Sequence, residues 1–409
     1  MSTLSRRSLL AAGGGALALT AVPGTAASAS TVAAGDVAAG DVAAGDVATD
    51  RPRGTLERVH AFRGPMPTGV TVSATGRVFV CYPKWGDDVR FTVGELRDGR
   101  EVAYPDQRTN SPSGKDDRTA FVSVQSVVVD PLDRLWVVDA AAPLFTRTEL
   151  GGPKLVRISL ETDRVEQTIV LPRSVALPTT YLNDVRFDLR RGAAGHAFLT
   201  DSSDTGPNGI IVVDLATGES WRRLHDHPST KALPLADFRP FVEGRPLLTR
   251  PPEGPPVPLG LGSDGIAISA DGERLFYCPL ASRRLFSVSV DALVDRRRGE
   301  AEVAGTVRDE GDKGSGSDGL ESDDQGRVYA TAYEQNAIVV LRPGGLATTL
   351  VHDPRLLWPD TLSLARDGHL YVIANQLHRQ PAYHRGSDLR EKPYLLFRTP
   401  VDAGPVLLR

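Results

Sequence analysis

Cysteine is nearly absent from this chain: 409 residues carry only Cys81 and Cys278. So sparse a supply excludes a disulfide-stapled scaffold and any metal centre built from thiolates. Positive charge is not in excess either, with 47 basic against 51 acidic residues and no basic tail or patch, which disfavours a nucleic-acid partner. No uninterrupted apolar run is long enough to span a bilayer. The common catalytic signatures are missing as well. There is no G-x-S-x-G, no H-E-x-x-H, no phosphate-binding loop and no dinucleotide fingerprint. Any catalysis must come from carboxylates, amides, a histidine or a bound ion.

What is present begins with an export signal over residues 1–30. Ser5-Arg6-Arg7-Ser8-Leu9-Leu10 sets paired arginines before a mildly apolar, glycine-rich stretch from Leu9 to Val22, and Ala27-Ser28-Ala29 supplies small residues for cleavage. This pattern predicts secretion by the twin-arginine route, which carries folded cargo; the alternative is a chance arginine pair ahead of an ordinary export signal. Loss of this segment removes Arg6 and Arg7 and no acid, taking the formal charge from −4 to −6. A low-complexity linker, residues 31–53, follows. Its Ala-Ala-Gly-Asp-Val units over 33–47 hold nothing that can form a core. No membrane association is expected after cleavage.

From residue 54 to 409 a short segment returns six times. The copies are Thr68-Gly69-Val70, Gln125-Ser126-Val127, Asn183-Asp184-Val185, Asp264-Gly265-Ile266, Asp318-Gly319-Leu320 and Asp360-Thr361-Leu362. Each precedes a second apolar run, as in Arg77-Val78-Phe79-Val80 and Arg134-Leu135-Trp136-Val137. Third and fourth runs follow, for example Lys154–Ile158 with Gln167–Val170, or Ile338–Leu341 with Ala347–Leu350 across Pro343-Gly344-Gly345. Four period-two strands per copy, with copies spaced 57, 58, 81, 54 and 42 residues apart, predict an all-β, six-bladed propeller of four antiparallel strands per blade. The last copy lacks its fourth strand. An exposed edge is avoided if Leu56–Phe62 closes the ring beside Tyr394–Phe397. The two cysteines fall in copies one and four, across the ring, so two separate thiols are expected. Insertions at 105–120, 139–152 and 228–262 either cover a site on one rim or are solvated loops.

In a propeller the first strand of each blade lines the central channel. The residues opening these strands are Thr68, Gln125, Asn183, Asp264, Asp318 and Asp360, with Asp184 and Glu321 close by. Several converging carboxylates are costly unless a hard divalent cation such as calcium or magnesium, shared protons or buried water neutralises them. The competing explanation is local turn chemistry, with Asp capping a turn and Gly taking φ > 0. Asn375, Gln376 and His378 follow the second strand of the last copy; either they reach the same mouth, with His378 as a general base, or they form a plain loop. Trp358 walls an aromatic ligand or packs between blades. His225-Asp226-His227 places two imidazoles on one face of an extended segment, as a metal pair or as an exposed loop.

Taken together, Met66-Pro67-Thr68-Gly69-Val70, Tyr181-Leu182-Asn183-Asp184-Val185, Gly262-Ser263-Asp264-Gly265-Ile266, Ser317-Asp318-Gly319-Leu320, Trp358-Pro359-Asp360-Thr361-Leu362 and Ala374-Asn375-Gln376-Leu377 resemble the yellow/major royal jelly protein family over about residues 56–400. The resemblance implies a secreted six-bladed propeller. Its members include proteins linked to dopachrome conversion, salivary proteins that bind biogenic amines in the channel, and nutritive proteins. A more distant resemblance is to gluconolactonase and regucalcin propellers, which hold a divalent ion at the channel mouth. There Asn183 with Asp264 or Asp318 would be ligands, and Thr68 stands where those proteins have a glutamate. Three functions follow as expectations: a dopachrome tautomerase-like isomerase using Asp264, Asp318, Asp360 or His378; a protein that binds an aromatic amine; and a metal-dependent lactone hydrolase. In each, the partner is a small molecule held by the residues of the channel mouth.

Overall fold

The computed structural model describes residues 51–112, 118–146, 151–342 and 345–409. The expected export signal, nearly all of the expected linker and residues 343–344 lie outside the described residues. Arg53, assigned to the linker, already pairs through its backbone with His352.

Six four-stranded antiparallel sheets follow one another around a closed ring. Their inner strands are Gly69–Val72, Val124–Val129, Leu182–Asp188, Ser263–Ile268, Leu320–Ser322 and Pro359–Leu364. The sixth blade closes as expected: Glu57–Phe62 pairs with Tyr394–Pro400, with Phe62 opposite Tyr394 and Glu57 opposite Arg398. Glu57–Phe62 is the outermost strand of that sheet and covers the edge that Tyr394–Pro400 would otherwise expose.

The strands read as they do because both faces of each blade are covered by the next. Apolar residues therefore fill both registers of the second strands, as in Leu135-Trp136-Val137-Val138, all fully buried. Trp136 of blade 2 meets Phe187 of blade 3, their ring centroids 5.2 Å apart. Cys81 and Cys278 are buried free thiols. One feature was not read from the sequence: two short helices, Val290–Val294 and Glu300–Ala304, connect the third and fourth strands of blade 4.

At four inner strands the ladder slips near the first residue: between Val124 and Ser126, Leu182 and Val185, Ser263 and Ile266, and Pro359 and Leu362. A bulge places two residues opposite one and re-aims a side chain. These slips hold Gln125, Asn183 with Asp184, Asp264, and Asp360. The same local defect thus turns polar groups out of the pleat at one rim of the channel.

The insertions separate by role. Residues 228–262 form two small hairpins, Phe241–Val242 with Arg245–Pro246 and Leu248–Thr249 with Val257–Pro258. Thr249 and Val257–Leu261 line a cavity at the channel mouth, as does Phe145 from the 139–152 insertion. The described part of 105–120 is instead pinned to blade 1, where Asn110 Oδ1 accepts from the Thr92 and Val93 amides at 2.9 Å each. Among the described residues no helix is long and apolar enough to cross a membrane.

Candidate functional site

The glycines beside the channel carboxylates contradict the turn explanation. Neither Gly265 nor Gly319 adopts a positive φ. They are needed for close approach instead: a Cβ on Gly265 would stand 2.6 Å from the Asp318 carbonyl oxygen, and one on Gly319 2.3 Å from that of Asp360. The inner strands of blades 4, 5 and 6 therefore crowd each other at their first residues, which draws Asp264, Asp318 and Asp360 together.

Hydroxyl groups staple the ring at amides and carbonyls near the starts of the inner strands. Thr68 Oγ1 donates to the Gln125 carbonyl at 3.1 Å, Thr200 Oγ1 to that of Asp264 at 2.7 Å, and Thr361 Oγ1 to that of Thr68 at 2.6 Å. Thr331 Oγ1 accepts from the Asp318 and Gly319 amides at 2.9 and 3.1 Å. Thr68 is fully buried in this role and does not line the cavity.

Asp264, Asp318 and Asp360 share one cavity of about 340 Å³ with Gln125 and Asn183. Its walls are Trp85, Phe145, Tyr181 and Tyr383, and Asp204 also lines it. The three carboxyls do not titrate alike. Burial, then the charges of Asp318 and Asp360, push Asp264 well above the usual carboxylate range. Asp360 is likewise pushed well up by burial and by Asp318, against hydrogen bonds from Thr361 and Asn375. Burial also raises Asp318, but hydrogen bonds from Trp358 and from the Asp264 carboxyl restrain it at about 6. Like charges this close oppose one another's ionisation, and the hydrogen bonds from Trp358 and Asp264 favour the ionised form of Asp318.

The remaining expected residues support this trio or stand elsewhere. Asn375 Nδ2 donates to Asp360 Oδ2 at 2.5 Å, from a fully buried position outside the cavity wall. Trp358 is also buried; its Nε1 donates to Asp318 Oδ2 at 2.6 Å and its ring stacks on Tyr333, so it backs the site rather than walling it. Gln125 Oε1 accepts from Tyr181 Oη at 2.9 Å, and Asn183 Nδ2 donates to Ser202 Oγ at 3.0 Å. Asp184 and Glu321 are drawn off by a residue not singled out from the sequence. Arg186 Nη1 lies 2.8 Å from Asp184 Oδ2, and Nη2 is 3.7 Å from Glu321 and 2.7 Å from the Leu320 carbonyl. A lone arginine two positions beyond Asp184, on the channel face of its strand, was the available signal.

His378 is not part of this cavity. It lines a larger one, about 590 Å³, between the Phe241–Pro246 hairpin and residues 378–391. Its Nε2 pairs with Glu243 at 2.8 Å, and burial pushes the imidazole pKa down. Most charged groups there are already paired, Arg379 with Glu243 and Arg390 with Asp87 and Asp388. The smaller cavity, with its converging acids, is the better site. His225 and His227 turn to separate partners: His225 Nδ1 accepts from Arg222, and His227 Nδ1 meets Ser229 Oγ.

The channel donors do not fit a divalent ion of the lactonase kind. Asp318 Oδ2 is engaged by Trp358, both Asp360 oxygens by Asn375 and Thr361, and Thr68 turns its hydroxyl to a carbonyl. Among the described residues no three His, Cys, Asp or Glu side chains are grouped to hold a metal.

The family model for major royal jelly protein matches residues 122–400. This chain belongs to the major royal jelly protein family. Curated relatives include protein yellow of Drosophila erecta and of Drosophila melanogaster, each 27% identical over 337 residues, which is 76% of this chain and 58% of theirs. The chain thus spans little more than half the length of those relatives. Among solved structures, a luciferin-regenerating enzyme superposes with a TM-score of 0.52 at 10% identity, covering 87% of this chain and 99% of its own. A calcium-binding regucalcin from Agrobacterium tumefaciens gives 0.51 at 13%, covering 86% and 97%. A putative gluconolactonase gives 0.50 at 12%, covering 86% and 99%. At these identities the likeness extends to the propeller fold and not to the chemistry of this family member's site.

Proposed function

We propose that this royal jelly-family propeller is a proton-transfer isomerase of the dopachrome tautomerase kind, acting on a small quinonoid molecule in the aromatic-walled cavity. The observation that carries this is the convergence of three buried aspartates in one aromatic-walled cavity, with Asp318 restrained at about 6 while burial and neighbouring charge push Asp264 and Asp360 well up. A tautomerase needs a base and an acid at once. In the proposed step the Asp318 carboxylate takes a carbon-bound proton from the ring while Asp264 or Asp360 delivers one to a quinone oxygen. The electron pair of the broken C–H bond enters the ring, the product is an isomer, and no oxidant is consumed. Export by the twin-arginine route is part of the same proposal and is supported by Arg6-Arg7 ahead of the apolar stretch Leu9 to Val22.

A second reading, capture of an aromatic amine without turnover, draws on the charge of the walls. The described lining carries Asp204, Asp264, Asp318 and Asp360 and no lysine, arginine or histidine. An ammonium group would meet the Asp318 carboxylate while its ring stacks on the aromatic walls. The test is purified protein with L-dopachrome, followed by loss of its visible absorbance, and with dopamine, followed by calorimetry. Accelerated loss supports the isomerase; saturable heat without turnover supports capture. If neither appears, both readings are wrong.

A further inference from the structure

The three rings at the cavity mouth are not held alike. Trp85 Nε1 donates to Tyr181 Oη at 2.9 Å, and Tyr181 Oη donates on to Gln125 Oε1 at 2.9 Å, so these two rings are tethered to the channel rim. Phe145 lies against both, 5.1 Å from Trp85 at 16° and 4.6 Å from Tyr181 at 31°, with no polar tether of its own. It is 45% exposed although it lines the cavity, and its neighbour Leu144 is 64% exposed.

The backbone beneath it is strained. Ala141, Leu144 and Phe145 have φ of 49°, 52° and 59°, a left-handed conformation that is unfavourable for residues with a Cβ and worst for bulky ones. The base of the segment is firmly anchored: Asp139 accepts from the Ser123 and Ala141 amides at 3.0 Å each and pairs with the buried Lys154 at 2.9 Å. The tip is held by a few backbone hydrogen bonds, among them Leu144 N to the Lys84 carbonyl at 2.9 Å. A fixed base, a strained tip and an untethered ring on a tethered platform describe a part that can leave without disturbing the rest.

We infer that Phe145 is the gate of the cavity and that Trp85 and Tyr181 determine its specificity: a flat aromatic or quinonoid ligand displaces Phe145 and takes its place on the Trp85–Tyr181 platform. The inference rests on the cavity being an aromatic-ligand site and adds where the ring sits and what must move first. The platform is selective for flatness, since a saturated ring of equal charge cannot stack on it. Phe145 is a self-ligand that keeps the platform dry when the cavity is free.

A gate and a wall respond oppositely to truncation. If Phe145 is a gate, Phe145→Ala removes the competitor, so phenethylamine associates faster and binds tighter, by about tenfold if the open form is about a tenth of the population. The preference for phenethylamine over cyclohexylethylamine persists in that variant and is lost in Tyr181→Leu. If Phe145 is a wall, truncation weakens binding instead. The measurement is stopped-flow tryptophan fluorescence on the purified full chain, with Phe145→Leu as a milder second variant. Binding of phenethylamine that is weaker or unchanged in both variants overturns the gate while leaving the ligand site standing. No binding of phenethylamine, dopamine or L-dopachrome to any form removes the ligand site and the gate together.

Discussion

Trp358 Nε1 donates to Asp318 Oδ2 at 2.6 Å, joining the last blade to Asp318 of the aspartate trio. The indole is clamped for this purpose. Tyr333 stacks on it at 4.3 Å and 6°, His378 covers it at 5.8 Å, and its own backbone is left-handed at φ 57°. Such strain on a tryptophan persists only where the surroundings over-determine it. Its effect is to hold Asp318 ionised in a buried place that favours the neutral acid. Activity therefore rises with pH through about 6. Phe at position 358 keeps most of the packing and deletes the donor, so Trp358→Phe moves the acid limb of the pH–rate profile upward by about one unit. An unmoved limb contradicts the role given to this hydrogen bond.

Asp318→Asn separates function from stability. Loss of the base lowers turnover by about 10²- to 10⁴-fold. Stability moves the other way. The Asp318 pKa is raised from 3.8 to about 6 in the fold, so its contribution is fully present below about 3.8 and is lost as pH rises through about 6. Above that, the ionised carboxylate costs up to about 3 kcal/mol relative to the protonated form. Thermal melts of Asp318→Asn should exceed wild type by a few degrees at pH 7.5 and show no advantage at pH 4.

Gly319→Ala tests close approach as the reason for the glycines. Its Cβ would meet the Asp360 carbonyl oxygen at 2.3 Å, so a backbone must shift. The expected cost is about 1–3 kcal/mol by chemical denaturation, with turnover reduced because Asp360 moves with its strand. At Gly76, where nothing lies within 4 Å of a Cβ but φ is 82°, alanine should cost about 1–2 kcal/mol of backbone strain and leave turnover intact.

Arg186→Met leaves Asp184 and Glu321 without their shared cation in a channel where all three are largely buried. Breaking a buried pair in this way costs about 3–5 kcal/mol. Adding Asp184→Asn to the same chain should restore part of the loss in a denaturant titration. A double variant no more stable than the single would show that Arg186 acts mainly through its bonds to the Leu320 and Val185 carbonyls.

Chelation is expected to do nothing. Because the channel oxygens are already engaged within the protein, EDTA should change neither turnover nor melting temperature, and added calcium should not raise the latter. A chelator-sensitive activity would return the lactonase-type centre of Asn183, Asp264 and Asp318 to consideration.

Much of this architecture is legible along the chain because a propeller is a local fold. Each blade is a meander of neighbouring strands, so four apolar runs and three turns announce it, and Leu56–Phe62 could be placed as the closing strand by its missing partner. The site was legible only as far as its residues share a repeat position: Asp264, Asp318 and Asp360 open equivalent strands and do meet. His378 follows the same strand only three residues after Asn375, yet the two diverge. Gln376 at φ 62° turns the chain, and Glu243, 135 residues away, draws the imidazole into another cavity.

By itself the sequence determined the blade count, the strand order and which residues open the inner strands, since these depend on periodicity and on contacts between neighbours. Only the tertiary structure decided how the charges are shared. Whether an aspartate is acid, base or half of an ion pair depends on burial and on groups far apart in the chain: Trp358 on Asp318, Asn375 on Asp360, Arg186 between Asp184 and Glu321. Electrostatic energies act through space and dielectric rather than along the backbone, so six equivalent positions in the repeat become six different chemical environments in the channel.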